Sequence, residues 1–424
     1  MLSPRERFAA FSLLVLATAL PALAADDIIP LEQSEPGMRG VARTIFAGQE
    51  IEEFPLEVLG VLRNIAGPGQ HLILVRLLGE KARYTGVVAG MSGSPVYFDG
   101  KLAGALAFRF GIFTKEPIGG VTPIANMLQA VAEEPPQAAA GADTSEPLRY
   151  PVPQDLLARA GVPAAHPYLV PIETPLTFVG FHPQVIHQFS EELAAQGLLA
   201  VQGGGSAAPE RTSSLEPGGA VAAALVTGDM SIAGTCTITR REGDRLYACG
   251  HPMLGFGDVQ LPMTRAEIVT TVPSEFSSFK IANIGEVVGS FQQDRSTAIV
   301  GRLGPGPAMI PVDLTLVHHG RRRSRNFHFQ IFQHPRITPT LLAFTLLNGL
   351  FNTTEAGAEL TYRVHGRLAL RGHTDVVLSD MFSPTDSFVP DAFFVASSVS
   401  TAFQQIFANP FETPEIEGLS LQVE

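Results

Sequence analysis

Gly90-Met91-Ser92-Gly93-Ser94-Pro95 sets a serine in a glycine-flanked bend, and the residues on either side of it limit the architecture more than any other stretch of the chain. The β-prone run Thr85 to Ala89 precedes the bend. Val96-Tyr97-Phe98, an Asp99-Gly100 turn and the run Leu102 to Phe108 follow it. Asp-Gly between two apolar runs is a strong hairpin signal. The elbow of the α/β-hydrolases reads Gly-x-Ser-x-Gly and leads into a helix. Here Ser94 takes the last glycine position and Pro95 starts a strand, so the pattern points to a β-barrel instead.

The rest of the chain has the same texture. Gly (41) and Pro (33) punctuate short apolar runs, and hydrophobic residues (45%) far outnumber charged ones (17%), which predicts a mainly β protein with a few helices. Short runs at Val41 to Phe46, Leu56 to Leu62 and Leu72 to Leu78 predict a small barrel or sandwich. A helix capped by Thr122-Pro123 and running to about Ala132 closes it. Pro135 to Pro147 reads as a linker. Pro183 to Gln196 predicts a helix stopped by Gly197, Ala220 to Pro311 further short strands, and Val312 to Val317 with Phe327 to Phe332 a long hairpin with a basic tip. A Thr338-Pro339-capped helix, strands around Leu360 to Leu370 and a helix from Asp391 to about Phe407 complete the chain. The expected division is a signal peptide at 1–24, a nucleophile lobe at 35–134, a linker at 135–150, a histidine lobe at 151–311 and a β-rich accessory region at 312–424.

Arg5 and Arg7, the apolar run Phe8 to Leu20 and Ala22-Leu23-Ala24 have the three parts of a secretory signal. The expectation is an exported, periplasmic or extracellular protein with no transmembrane segment after cleavage. The later apolar stretches are too short or interrupted to span a bilayer, and Leu341 to Phe351 reads as a core helix. A net charge of −12 argues against nucleic acid or anionic lipid as the main partner.

A serine between glycines suits acyl transfer. The flexible backbone lets a substrate carbonyl approach, and the N–H groups of Gly90 and Ser92 can converge as an oxyanion hole. The second informative tract is Gly234 to Gly257, GTCTITRREGDRLYACGHPMLGFG. Its hairpin turns around Arg241 to Asp244. If Arg240 pairs with Arg245, then Cys236 faces Cys249, and in an oxidising compartment the two form a cross-strand disulfide that stiffens the strand delivering His251. An imidazole at that point can take the proton of a serine hydroxyl. Each feature also has a structural reading: Ser92 in a plain Gly-Ser turn, His251 as a hydrogen-bonded strand-end histidine, Cys236 and Cys249 as buried thiols.

Thr85 to Val96 with Asp99 to Ala105 resembles the nucleophile segment of the stage IV sporulation protein B serine peptidases. Ala248-Cys249-Gly250-His251 is similar to that family's histidine segment, and Asn283-Ile284-Gly285 with Ala298 to Gly301 is similar to the tract after it. The likeness covers Gly37 to Leu128 and Leu215 to Leu303. It implies a two-lobed, chymotrypsin-like β-barrel peptidase unit with its segments permuted, since the family's histidine precedes its serine. It further implies Ser92 as nucleophile, His251 as general base, Gly90 and Ser92 as oxyanion donors, and a protein or peptide substrate. The family's aspartate has no counterpart before Ser92, which leaves Glu80 or Asp258 as the candidate third member. No metal and no cofactor are expected, and His318-His319 reads as part of a solvated hairpin tip. The run Gly104 to Phe108 is expected to offer an edge to a substrate strand. Two alternatives stand beside the peptidase: an inactive binding or scaffold protein on the same fold, and an esterase.

Overall fold

The computed structural model describes residues 27–111, 116–131, 149–159, 161–162, 167–203, 213–319, 323–352, 360–385 and 389–424. The expected signal segment, and the expected linker up to residue 148, lie outside the described residues.

Six strands, β1 (Arg39–Thr44), β2 (Glu52–Leu62), β3 (Leu72–Leu77), β4 (Ser94–Phe98), β5 (Lys101–Phe110) and β6 (Ile118–Pro123), close into an antiparallel barrel. The pairing runs β4-β1-β2-β3-β6-β5 and returns to β4. Asp99 and Gly100, with φ of 48° and 76°, make the predicted tight turn between β4 and β5. The interior is filled by Leu56, Val58, Ile73, Val75, Met91, Val96, Phe98 and Leu106, all at most 1% exposed. Helix α1 (Glu80–Thr85) leads towards the serine bend and α2 (Ile124–Gln129) follows β6. Strands β7 (Tyr150–Pro151) and β8 (Tyr168–Pro171), with helix α3 (Gln154–Arg159) between them, extend the same sheet from β5.

Strand β9 (Thr174–Val179), helix α4 (Pro183–Ala195) and strand β10 (Leu198–Gln202) lead to a second closed ring. Its members are β11 (Ala220–Gly228), β12 (Ser231–Glu242), β13 (Arg245–Ala248), β14 (Gly257–Val272), β15 (Phe279–Arg295) and β16 (Ala298–Leu303). All six ring contacts are antiparallel. From β11 the sheet continues through β18 (Arg323–Ile331), β17 (Ile310–His318), β21 (Ile416–Val423), β19 (Tyr362–Leu370) and β20 (Val376–Phe382). Helices α5 (Thr338–Phe351) and α6 (Asp391–Phe407) pack with this extension, and α5 buries Leu341, Leu342, Phe344, Leu346, Leu347 and Leu350. It is a core helix. Among the described residues no helix is long and apolar enough to cross a membrane.

Several local expectations are corrected. Thr85 to Ala89 is not a strand: α1 ends at Gly86, whose φ of 68° breaks regular structure, and Ala89 makes only an isolated bridge to Phe279. Thr122 does not cap α2 but lies in β6, its hydroxyl donating to the Gly250 carbonyl at 2.7 Å. Thr338 is the first residue of α5, not its cap. The β14–β15 ribbon is far longer than the short strands expected, at 16 and 17 residues. β5 offers no free edge to a substrate, because β4, β6 and β8 occupy it. The expected boundaries at 150 and 311 both fall inside sheets, since β7 joins the first barrel's sheet and β17 spans residue 311.

The two rings pack directly on each other. Leu102 and Ala105 of the first, with Ile124 and Met127 of the α2 that follows it, share a buried cluster with Tyr247, Ala298 and Val300 of the second. The distal half of the β14–β15 ribbon reaches across the first barrel: Thr271 donates to the Phe46 carbonyl at 2.7 Å, and the Lys280 N–H to the Ala89 carbonyl at 3.1 Å. The serine bend and the Cys249 to His251 segment both lie in this junction.

Candidate functional site

The serine bend is two overlapping turns. The Met91 N–H donates to the Val88 carbonyl, and the Ser94 N–H and Oγ both donate to the Met91 carbonyl. Gly90 and Gly93 carry φ of 91° and 95°, conformations that glycine adopts without a Cβ clash. The second barrel grips the bend through one strand. On β12, Thr237 Oγ1 donates to the Gly90 carbonyl, the Thr237 N–H to the Ser92 carbonyl at 2.8 Å, and Thr239 Oγ1 to the Gly93 carbonyl at 2.8 Å. The N–H groups of Ala89 and Gly93 are taken by the carbonyls of Ser278 and Leu106. Among the described residues the N–H groups of Gly90 and Ser92 donate to nothing. These are the two donors expected of an oxyanion hole.

His251 arrives from the other side. The predicted Cys236–Cys249 disulfide is present, with a Cα–Cα distance of 5.3 Å, although the register that leads to it differs from the expected one. Glu242, not Arg240, pairs with Arg245, and the turn is the two residues Gly243-Asp244. A bulge between Ile238 and Arg240, then a left-handed Cys249 (φ 65°), bring Cys236 back opposite Cys249. The Cys249 N–H donates to the same Thr237 whose N–H holds Ser92. A Cβ on Gly250 would lie 2.9 Å from the side chains of Ala105 and Ala107, so only glycine lets this segment pass so close to β5. Replacing both cysteines by alanine is expected to lower stability by about 3 kcal/mol, the loop-closure value for a link of this span, read as a lower urea midpoint.

After His251 the chain folds around one buried carboxylate. Asp294, 2% exposed at the end of β15, accepts the N–H groups of Met253, Leu254 and Gly255, each at 2.8 Å. Burial raises its pKa while these backbone donors pull it down. Asp294 thus fixes the loop that carries His251 without touching the ring.

His251 is 2% exposed, and its Nδ1 lies 2.7 Å from the Pro252 carbonyl. A carbonyl only accepts, so Nδ1 carries the proton and, in the neutral ring, Nε2 keeps its lone pair. Burial lowers the His251 pKa to about 4, opposed by the Pro252 bond and the negative charge of Glu173. The ring is therefore neutral at physiological pH. Ser92 is fully buried, and among the described residues Ser92 Oγ and His251 Nε2 make no hydrogen bond, either with each other or with any other group. The site is closed to solvent, with a donor hydroxyl and an acceptor nitrogen that have no protein partner among the described residues.

The two expected carboxylates serve elsewhere. Glu80 is exposed at the start of α1. Asp258 is 63% exposed and holds Arg295 and Gln293. The carboxylate that acts on His251 is Glu173, between β8 and β9, which pairs with Arg109 and accepts from Ser277 Oγ at 3.3 Å. Glu173, Asp294 and Lys280 were not found by sequence reasoning. A lone lysine in the apolar run Phe279-Lys280-Ile281 was the one visible signal. Among the described residues no group of three or more His, Cys, Asp or Glu side chains could hold a metal ion, and His319 faces Glu424 at 3.3 Å.

The neutral His251 has a measurable consequence. Its folded pKa lies below the unfolded value of 6.5, so the unfolded chain takes up the proton first, and stability falls as pH drops from about 6.5 to about 4. The loss is about 3 kcal/mol at 1.36 kcal/mol per unit. Urea unfolding at pH 7 and pH 4 should differ by that much more in the wild type than in His251→Gln.

No family model, curated protein or solved structure matches this chain.

Proposed function

We propose that this chain is an exported serine endopeptidase of the two-barrel, chymotrypsin-like type, with the nucleophile barrel first in the sequence and the histidine barrel second. The observation that carries the reading is a set of groups at the barrel junction that have no hydrogen-bond partner among the described residues: Ser92 Oγ, His251 Nε2, and the N–H groups of Gly90 and Ser92. Most buried polar groups find a partner, and others left without one, such as Thr177 and Thr235, are single hydroxyls. Four groups left open together, with the polarities that acyl transfer needs, support a reaction centre.

In the mechanism His251 Nε2 takes the proton of Ser92 as Oγ attacks the carbonyl carbon of a peptide bond. The oxyanion forms against the Gly90 and Ser92 N–H groups. The imidazolium is held by the Pro252 carbonyl and the charge of Glu173, and its Nε2 proton passes to the leaving amine as the C–N bond breaks. Water, deprotonated by the same nitrogen, then releases the acyl group from Ser92. Export is supported by the buried Cys236–Cys249 disulfide, a bond that persists in oxidising compartments.

A second reading, a non-catalytic binding protein on the same scaffold, is favoured by the complete burial of Ser92 and by the lack of a carboxylate bonded to His251 Nδ1. The peptidase reading requires the closed site to open towards substrate. Treatment with a fluorophosphonate followed by peptide mapping separates the two. A single covalent adduct on Ser92 is expected; an unmodified Ser92 leaves the binding protein.

A further inference from the structure

Lys280 is a buried cation for which the mechanism above has no use. It is 1% exposed, and burial lowers its pKa to about 7. Its N–H donates to the Ala89 carbonyl, which aligns the start of β15 with the residue before the oxyanion turn. Its stem covers that turn: Lys280 Cβ and Cδ lie 3.4 Å from where a Cβ on Gly90 would stand. Its Nζ has one hydrogen-bond partner among the described residues, Thr44 Oγ1 at 2.7 Å, and Thr44 is itself fully buried. Desolvating an ammonium to make one neutral hydrogen bond costs stability. A methionine of similar shape would avoid that cost.

We propose, resting on the peptidase reading, that Lys280 is a positioning residue of the Ser92 site: its stem pins Gly90 with the N–H aimed into the junction, and its ammonium, held by Thr44, opposes the negative charge that develops on the substrate oxygen. The surroundings suit the task. Thr44 of β1 accepts from the ammonium, Gly90 packs against the stem and Thr271 of β14 is the cross-strand partner of Lys280, and none of these is charged. Burial alone shifts the Lys280 pKa, with no charged partner acting on it. In so buried a setting an unneutralised cation acts on a developing oxyanion with little screening.

The test is the pH dependence of the rate at which a fluorophosphonate acylates Ser92. In the wild type the rate should rise through about pH 4 as His251 loses its proton and fall through about pH 7 as Lys280 does. Lys280→Met should label about tenfold or more slowly at pH 6, lack the upper limb, and melt at the same or a higher temperature. Lys280→Arg, charged throughout, should keep most of the rate and lose the upper limb. Thr44→Val, which removes the acceptor of the ammonium, should move that limb to lower pH. Wild-type rates and an unchanged profile in Lys280→Met, or an upper limb that survives in Lys280→Arg, would overturn the role of Lys280 while leaving Ser92 as nucleophile. A wild-type protein that is not labelled at any pH overturns both.

Discussion

Ser92→Ala is expected to lower peptide hydrolysis by about 10⁶-fold while leaving the protein as stable as the wild type or more so. The kinetic figure is the cost of removing a serine nucleophile from an intact hydrolytic centre, the oxyanion donors and binding groups remaining. The stability figure follows from what Ser92 Oγ does in the folded chain, which is nothing: it is buried and makes no hydrogen bond among the described residues. Deleting a desolvated, unsatisfied hydroxyl removes a penalty of about 1 kcal/mol or more. Measuring kcat/KM beside the urea midpoint distinguishes this from a structural serine. A Ser92→Ala protein that loses stability and keeps its activity would mean that the hydroxyl supports the turn and not a reaction.

The largest loss of stability is expected at Gly93, where Gly93→Ala should cost about 3 to 5 kcal/mol. The figure combines the strain of an alanine at positive φ with the displacement of closely packed groups. An added Cβ would stand 1.9 Å from the Thr237 carbonyl oxygen and 2.6 Å from the Cys249 nitrogen. Both obstacles are backbone atoms of the second barrel, so no side chain can swing aside. The barrels must separate, or the bend must leave its φ of 95°. Either movement breaks the bond from Thr237 to the Ser92 carbonyl. The check is a lowered urea midpoint together with lost reactivity of Ser92. Gly100→Ala serves as the control, since a Cβ there meets nothing within 4 Å, although its φ of 76° still brings some strain.

The parts of the site that were legible in the sequence are local. Ser92, the glycines around it and the hairpin after it follow from turn chemistry within a dozen residues, as do the two cysteines flanking a short hairpin. The register was not legible. Charged residues at 240 to 245 fit more than one turn, and the bulge between Ile238 and Arg240, which shifts the β12–β13 register, has no signature in the local sequence. Thr85 to Ala89 has strand propensity but no partner strand, since the preceding residues form α1. Glu80 and Asp258 are candidates by proximity in sequence, but both are exposed, whereas a carboxylate that steadies His251 must share its buried surroundings. Glu173, Lys280 and Asp294 lie 29 to 78 residues away from His251 along the chain, and only the closure of two barrels brings them near.

The measurement that bears most directly on the meeting of Ser92 and His251 is the rate of fluorophosphonate labelling in His251→Gln, read by mass at neutral pH with the fold checked by circular dichroism. On the proposed reading the neutral imidazole, with Nε2 unbonded among the described residues, is the base that activates this hydroxyl, so the labelling rate should fall by about 10³-fold or more. Labelling of Ser92 at the wild-type rate in the folded variant would contradict the account.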